Sequence, residues 1–239
     1  MFKGKNIFGT ALIFLILVLS GCILFRFLEF RDQLKEFEKN FDIDDKDGLE
    51  LIFKHPVLEE SDIVWLMRTE PSLKGDSSEE NVWTYNFIKR YPGKKTENAN
   101  FDIPVRMKFK NGLLNSVIFP ERFLKYFSKE LFAKFMESMG ETEVKKLNQS
   151  SKTEVKNLNK ESIPDVSQIE EMIGLPYSRE DGNGFYSYTY GYIYGNKEDK
   201  SKFYGLKFIL HFDKDSNRMK ELITDIRSIN MTIDFSNVL

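Results

Sequence analysis

Asp62-Ile63-Val64-Trp65-Leu66-Met67-Arg68-Thr69-Glu70-Pro71 returns 105 residues later as Ser167-Gln168-Ile169-Glu170-Glu171-Met172-Ile173-Gly174-Leu175-Pro176. Each copy sets a capping residue ahead of an apolar helical run and closes with proline, whose ring and missing N–H stop a helix. At the same offset Trp83-Thr84-Tyr85-Asn86-Phe87-Ile88 is matched by Tyr188-Thr189-Tyr190-Gly191-Tyr192-Ile193, with the two-residue alternation of a strand. A second strand follows in each copy, 105–110 and 206–213, and then a turn. Asn111-Gly112 is a strong hairpin signal because both residue types tolerate positive φ; Asp213 to Asn217 fills that place in the second copy. Third strands are expected at 113–119 and 219–229. The order predicts an α+β chain of two tandem modules, each a helix or helix pair packed on a three-stranded antiparallel sheet, after an N-terminal membrane-anchoring helix.

Between the copies, Leu124, Phe127, Leu131, Phe132, Phe135 and Met139 follow helical spacing up to Gly140, a residue suited to a C-cap. Residues 141–162 are polar and hold a short echo, Thr142 to Asn148 and Thr153 to Asn159; so little apolar surface predicts a solvated linker or weak helix. Ahead of the first copy, Phe27, Phe30, Leu34, Phe37 and Phe41 mark an amphipathic helix, packed on its own domain, lying on the membrane or offered to another helix. The acids of 42–47 miss the glycine and the terminal glutamate of a calcium loop, and predict instead the capped start of a helix over Leu49 to Phe53.

At the N-terminus, Lys3 and Lys5 precede an apolar run and then Leu19-Ser20-Gly21-Cys22, which holds the only cysteine. Small residues before a thiol have the form of a bacterial lipobox: Leu19, Ser20 and Gly21 admit the peptidase, and Cys22 carries the lipid. The apolar stretch continues through Phe25, long enough to span a bilayer, so an uncleaved anchor and a buried helix stay open as alternatives. The division expected is 1–21 signal peptide (or an uncleaved anchor to about residue 25), 22–44 amphipathic helix or tether, 45–123 first module, 124–140 connecting helix, 141–162 polar linker and 163–239 second module.

A net charge of −2 gives no basic excess for nucleic acid, and a single cysteine leaves no disulfide within the chain. Stability must come from packing, for which 22 Phe and 10 Tyr supply large apolar area. His55 and His211 are the only histidines and form no ligand pattern, so no metal, cofactor or catalytic set is expected. Two surfaces are candidate binding faces. Tyr186, Tyr188, Tyr190, Tyr192 and Tyr194 share one side of a strand, with Trp83 and Tyr85 their counterparts in the first copy. That side either receives the helices or docks a partner. Arg106, Lys108 and Lys110 form a basic row opposite Val105, Met107 and Phe109, for anionic headgroups, an acidic partner or solvent alone.

Gly174-Leu175-Pro176 after a helix, the aromatic strand Tyr186 to Tyr194, a strand ending in Phe212-Asp213 and a turn into a further strand resemble the small outer-membrane assembly lipoproteins of the BamE (SmpA/OmlA) type. Two such units in tandem resemble the β-lactamase inhibitor proteins. The resemblance covers about residues 45–230; the first copy has Arg68-Thr69-Glu70-Pro71 where the second has its glycine. It implies a noncatalytic binding or assembly factor tethered to the bacterial envelope, the outer membrane being the expected one. Expected partners are membrane lipid, through Cys22 acylation or an N-terminal helix, and an envelope protein, with no nucleic acid or small-molecule substrate. The alternatives are an inhibitor of an extracytoplasmic hydrolase and a single-span protein of structural role.

Overall fold

A computed structural model describes residues 23–46, 48–76, 81–91, 99–141, 150–195, 203–226 and 229–238. Helix α1 (residues 23–35) breaks at Glu36 and resumes as α2 (Phe37–Asn40), then turns into the hairpin β1 (Phe41–Asp44) and β2 (Leu49–Phe53). Next come α3 (Glu60–Met67), β3 (Leu73–Asp76), β4 (Asn81–Lys89), β5 (Ile103–Lys110) and β6 (Leu113–Phe119). A 3-10 turn (Glu121–Phe123) and α4 (Lys129–Glu141) lead to β7 (Ser150–Glu154), α5 (Val166–Ile173), β8 (Ser178–Asp181) and β9 (Phe185–Tyr194). The chain ends with β10 (Tyr204–Asp213), β11 (Met219–Ile226) and β12 (Ile229–Asp234).

The twelve strands among the described residues belong to one mixed sheet, ordered β1-β2-β6-β5-β4-β9-β10-β11-β12-β7, with β3 beside β4 and β8 beside β9. This corrects the expected tandem of three-stranded sheets. β2 extends the first hairpin, β12 and the parallel β7 extend the second, and β4 joins β9 at Ile88↔Ile193 and Lys89↔Tyr192. Buried backbone groups need partners, and the exposed edges of two small sheets satisfy each other here. The seam is nearly symmetric, because Ile88 pairs with the residue 105 positions further on. Helix, short strand and long strand recur in register on its two sides: Leu73↔Thr84 in β3–β4 is matched by Ser178↔Thr189 in β8–β9.

Several local expectations are corrected too. Residues 49–53 form strand β2 and not a helix, since Leu49, Leu51 and Phe53 are buried while Glu50 and Ile52 between them are less so. The acids before it do not cap a helix: Asp42 and Asp44 lie in β1, and Asp47 is outside the described residues. Within the expected linker 141–162, the described residues 150–162 are no linker, because β7 lies there and Val155 is fully buried. Gly140 does not cap α4 but lies in its last turn. A Cβ there would stand 2.6 Å from the Lys35 amide, so glycine lets α4 cross close over α1. The last expected strand, 219–229, is two strands, β11 and β12. Asn111 (φ 53°) and Gly112 (φ 77°) do form the β5–β6 hairpin turn.

The helices cover one face of the sheet and define two adjoining cores. The first gathers Leu34, Phe37, Phe41, Trp83, Tyr85 and Phe109; the second gathers Ile169, Met172, Tyr190, Leu210, Phe212 and Ile233. α4 serves both, with Leu131 in the second core and Phe132 in the first.

Candidate functional site

The tyrosines of β9 point into the protein. Tyr188, Tyr190 and Tyr192 are buried and Tyr186 and Tyr194, nearer the strand ends, are half-buried. Trp83 and Tyr85 are likewise buried in the first core. The proposed docking side is therefore the packing side, which corrects the reading of these seven residues as a partner platform. The outer row is also less basic than its sequence: Lys108 Nζ lies 3.1 Å from Glu50 Oε1, which accepts the Ser116 hydroxyl at 2.5 Å. Arg106 and Lys110 remain exposed beside this neutralised lysine. Leu19, Ser20, Gly21 and Cys22 lie outside the described residues.

Under α4 and α5 the two cores part around an apolar cleft of about 450 Å³. Its floor is the inner face of the sheet from β6 to β12, and its roof includes Phe127 ahead of α4, Phe135 and Met139 of α4, and Ile169 and Met172 of α5. Thr224 and the Tyr192 hydroxyl are the only side-chain polar groups among its lining residues. Interiors normally pack at the density of organic crystals. Here the side chains leave a hollow that opens to solvent. The volume has the dimensions of a ligand site, since such sites run from about 300 to 1,000 Å³. Met107, Met139, Met172, Met219 and Met231 line it, unbranched side chains that can reshape around a variable apolar guest.

One end of the cleft meets the β4–β9 seam, where a polar cluster is built. Lys89 is fully buried, and its ammonium donates to the Ile173 carbonyl at the C-terminus of α5 while lying over the Tyr91, Phe101 and Tyr190 rings. A helix C-terminus suits a cation because its free carbonyls carry partial negative charge. Burial still lowers the Lys89 pKa to about 8. Gly174 makes the approach possible: it has φ +76°, and a Cβ there would stand 2.8 Å from Lys89 Nζ. Asp102 Oδ1 accepts the Lys89 amide at 2.9 Å. Arg122 donates from Nη1 to the Asn100 carbonyl at 3.1 Å and from Nη2 to the Asp102 carbonyl at 2.5 Å, leaving Nε buried without a partner. The Tyr190 and Tyr192 hydroxyls are also buried and unpartnered, and burial raises the pKa of both.

Other chemistry is sparse among the described residues. No group of three or more His, Cys, Asp or Glu is placed to hold a metal. His211 is engaged at 2.9 Å with Glu221, and its ring lies 4.5 Å from that of Phe185. No described helix is long and apolar enough to cross a membrane. Compared with known proteins, the chain matches no family model, no curated protein and no solved structure.

Proposed function

We propose that this chain is a noncatalytic binding protein held at a bacterial envelope membrane by its N-terminal segment, and that its working element is the cleft beneath α4 and α5. The observation that carries the reading is a wall almost devoid of polar side chains around about 450 Å³, lined by five methionines. Such a wall recognises a guest by area and shape, at about 25 cal/mol for each Å² of apolar surface removed from water. It offers no nucleophile or acid–base pair to transform that guest. The tether is supported by the order of Lys3, the apolar run and Leu19-Ser20-Gly21-Cys22. A membrane is also where long apolar ligands are found.

The test uses the full chain extracted from its membrane and exchanged into amphipol. Oleyl alcohol, a neutral long-chain ligand, at about 100 times its dissociation constant should add about 2.7 kcal/mol of stability. For a chain of 239 residues that corresponds to a rise in Tm of roughly 5–10 °C. An unchanged Tm together with no bound alcohol would refute the binding reading. The tether is tested separately by intact mass: a chain starting at a lipidated Cys22 supports it, and a water-soluble chain starting at Met1 with free Cys22 opposes it.

A further inference from the structure

We propose that the folded body sits directly on the lipid bilayer, with Leu24, Phe25 and Leu28 of α1 and Trp65 of α3 immersed among the headgroups and upper acyl chains. This rests on the reading of the N-terminal segment as a membrane tether and adds the surface by which the body itself meets the lipid. The outward side of α1 changes character along its axis. Leu24, Phe25 and Leu28 are 61%, 72% and 37% exposed, whereas the next exposed positions, Glu29, Asp32 and Lys35, are all charged. The opposite side packs into the first core through Phe27, Phe30 and Leu34, so the three exposed side chains are not needed for the fold. A helix whose outer side is apolar for its first turns and charged thereafter passes from hydrocarbon to water, here between Leu28 and Glu29.

The chain also reaches α1 from the lipid side. The apolar run ends at Leu19-Ser20-Gly21-Cys22, so Leu24 follows closely on the anchor whether Cys22 is acylated or the run stays uncleaved. Leu34, buried in the first core, lies only roughly 9 Å beyond Leu28 along the helix axis, at about 1.5 Å per residue. The body is therefore at the bilayer surface and has no slack chain to hang from. Trp65 meets that surface from a second element: it is 47% exposed, and its ring lies 5.6 Å from that of Phe27, at the height of Leu24 and Leu28. An indole, with an apolar body and one N–H, settles at a membrane–water interface. Arg26 fixes the height of α3 against α1, because its guanidinium donates to Asp62 at 2.6 and 2.7 Å and lies 3.4 Å from Glu59. The same pairing answers both carboxylates beside the lipid.

The experiment is tryptophan quenching in the full chain reconstituted into phosphatidylcholine vesicles, with flotation to show that the chain stays with the lipid. Trp83 is buried in the first core, and the difference between the native chain and Trp65→Phe isolates the signal of Trp65. Phosphatidylcholine brominated in the upper part of its chains should quench Trp65, and iodide on both sides of the membrane should not. Phe25→Asp combined with Leu28→Asp should lose the bromolipid quenching and gain iodide quenching, while the chain still floats and its Tm in detergent is unchanged, since both side chains are exposed. Trp65 open to iodide on a native chain that floats would overturn the docking and leave the tether standing. Trp65 shielded from both quenchers would overturn it as well, because a second copy or another protein then covers the patch. A chain that does not float with the vesicles refutes the tether, and the docking falls with it. The native-chain arms decide the matter alone if the double variant misfolds.

Discussion

The two halves of the sheet build the same succession of elements and close it with different chemistry. In the first half the loop after α3 is tied by Tyr85, whose hydroxyl donates to the Thr69 carbonyl at 3.0 Å. The counterpart 105 residues later, Tyr190, has no partner for its hydroxyl, and Lys89 from across the seam serves the end of α5 through the Ile173 carbonyl. The helix starts differ too. Both α3 and α5 carry a capping box, Glu59 with Asp62 and Asp165 with Gln168. Only Asp62 is fully buried, and Arg26 of α1 grips it with two bonds of 2.6 and 2.7 Å. The first half thus fixes the helix through which the chain arrives from its N-terminus. Both halves give inner sheet face to the cleft, but only the second adds its helix, α5, and leaves the Tyr190 and Tyr192 hydroxyls without partners. One supersecondary plan is thus closed by hydrogen bonds in the first half and left with unsatisfied hydroxyls in the second.

The comparison can be broken first at the helix starts. Arg26→Leu should cost about 3–5 kcal/mol in urea unfolding, because it strands the buried Asp62 carboxylate. Gln168→Ala, which loses only the neutral arm of its box, should cost about 1 kcal/mol. Equal costs would erase the asymmetry. The tyrosines are the next point. Tyr85→Phe should destabilise by about 1–2 kcal/mol by orphaning the Thr69 carbonyl, whereas Tyr190→Phe should be neutral or slightly stabilising, since its hydroxyl is desolvated for no bond.

The pH profile carries a further difference. Burial holds Lys89 near pKa 8 in the folded chain against 10.5 ordinarily, so between those values the unfolded chain binds the extra proton. Stability contributed through this group is therefore lowest below pH 8, where both states are charged, and rises from about pH 8 towards pH 10. Above about pH 10 the trend reverses. Tyr85, Tyr190 and Tyr192, with pKa values raised by burial, then ionise in the unfolded chain first, and Lys125, held up to about 12 chiefly by its hydrogen bond to Glu171, loses its pairing advantage. Lys89→Met should abolish the rise and keep the fall, as read from chemical denaturation across pH 7–11.

Several local elements could be read from residue order, but the single sheet that joins them could not. The 105-residue recurrence, the Asn111-Gly112 turn and the helices before Arg68 and Gly174 are local signals, because caps, turns and periodicity act within a few residues. Even so, the copies shift by one residue: the positive-φ positions closing the helices are Arg68 and Gly174, 106 apart, while the strands keep 105. Leu49 to Phe53 escaped correct assignment because four apolar residues in five fit a helix or a strand alike. β7 escaped because its composition, Ser150-Ser151-Lys152-Thr153-Glu154, is that of a solvated loop, and only its parallel pairing with β12 makes it a strand. The five alternating tyrosines were legible as one face, but burial was decided by which side the helices took. The cleft was not legible at all. Its wall is assembled from seven strands, two helices and a turn, and its one sequence trace is that five of eight methionines fall on inward positions of separate elements.

The most direct measurement is a methyl NMR titration of the full chain carrying 13C-labelled methionine. Oleate should shift the methyls of Met107, Met139, Met172, Met219 and Met231 together and saturate at one equivalent, while Met67 and Met136, which pack in the first core away from the cleft, stay in place. Shifts spread evenly over all seven methyls, or none at the five, would contradict a ligand beneath α4 and α5.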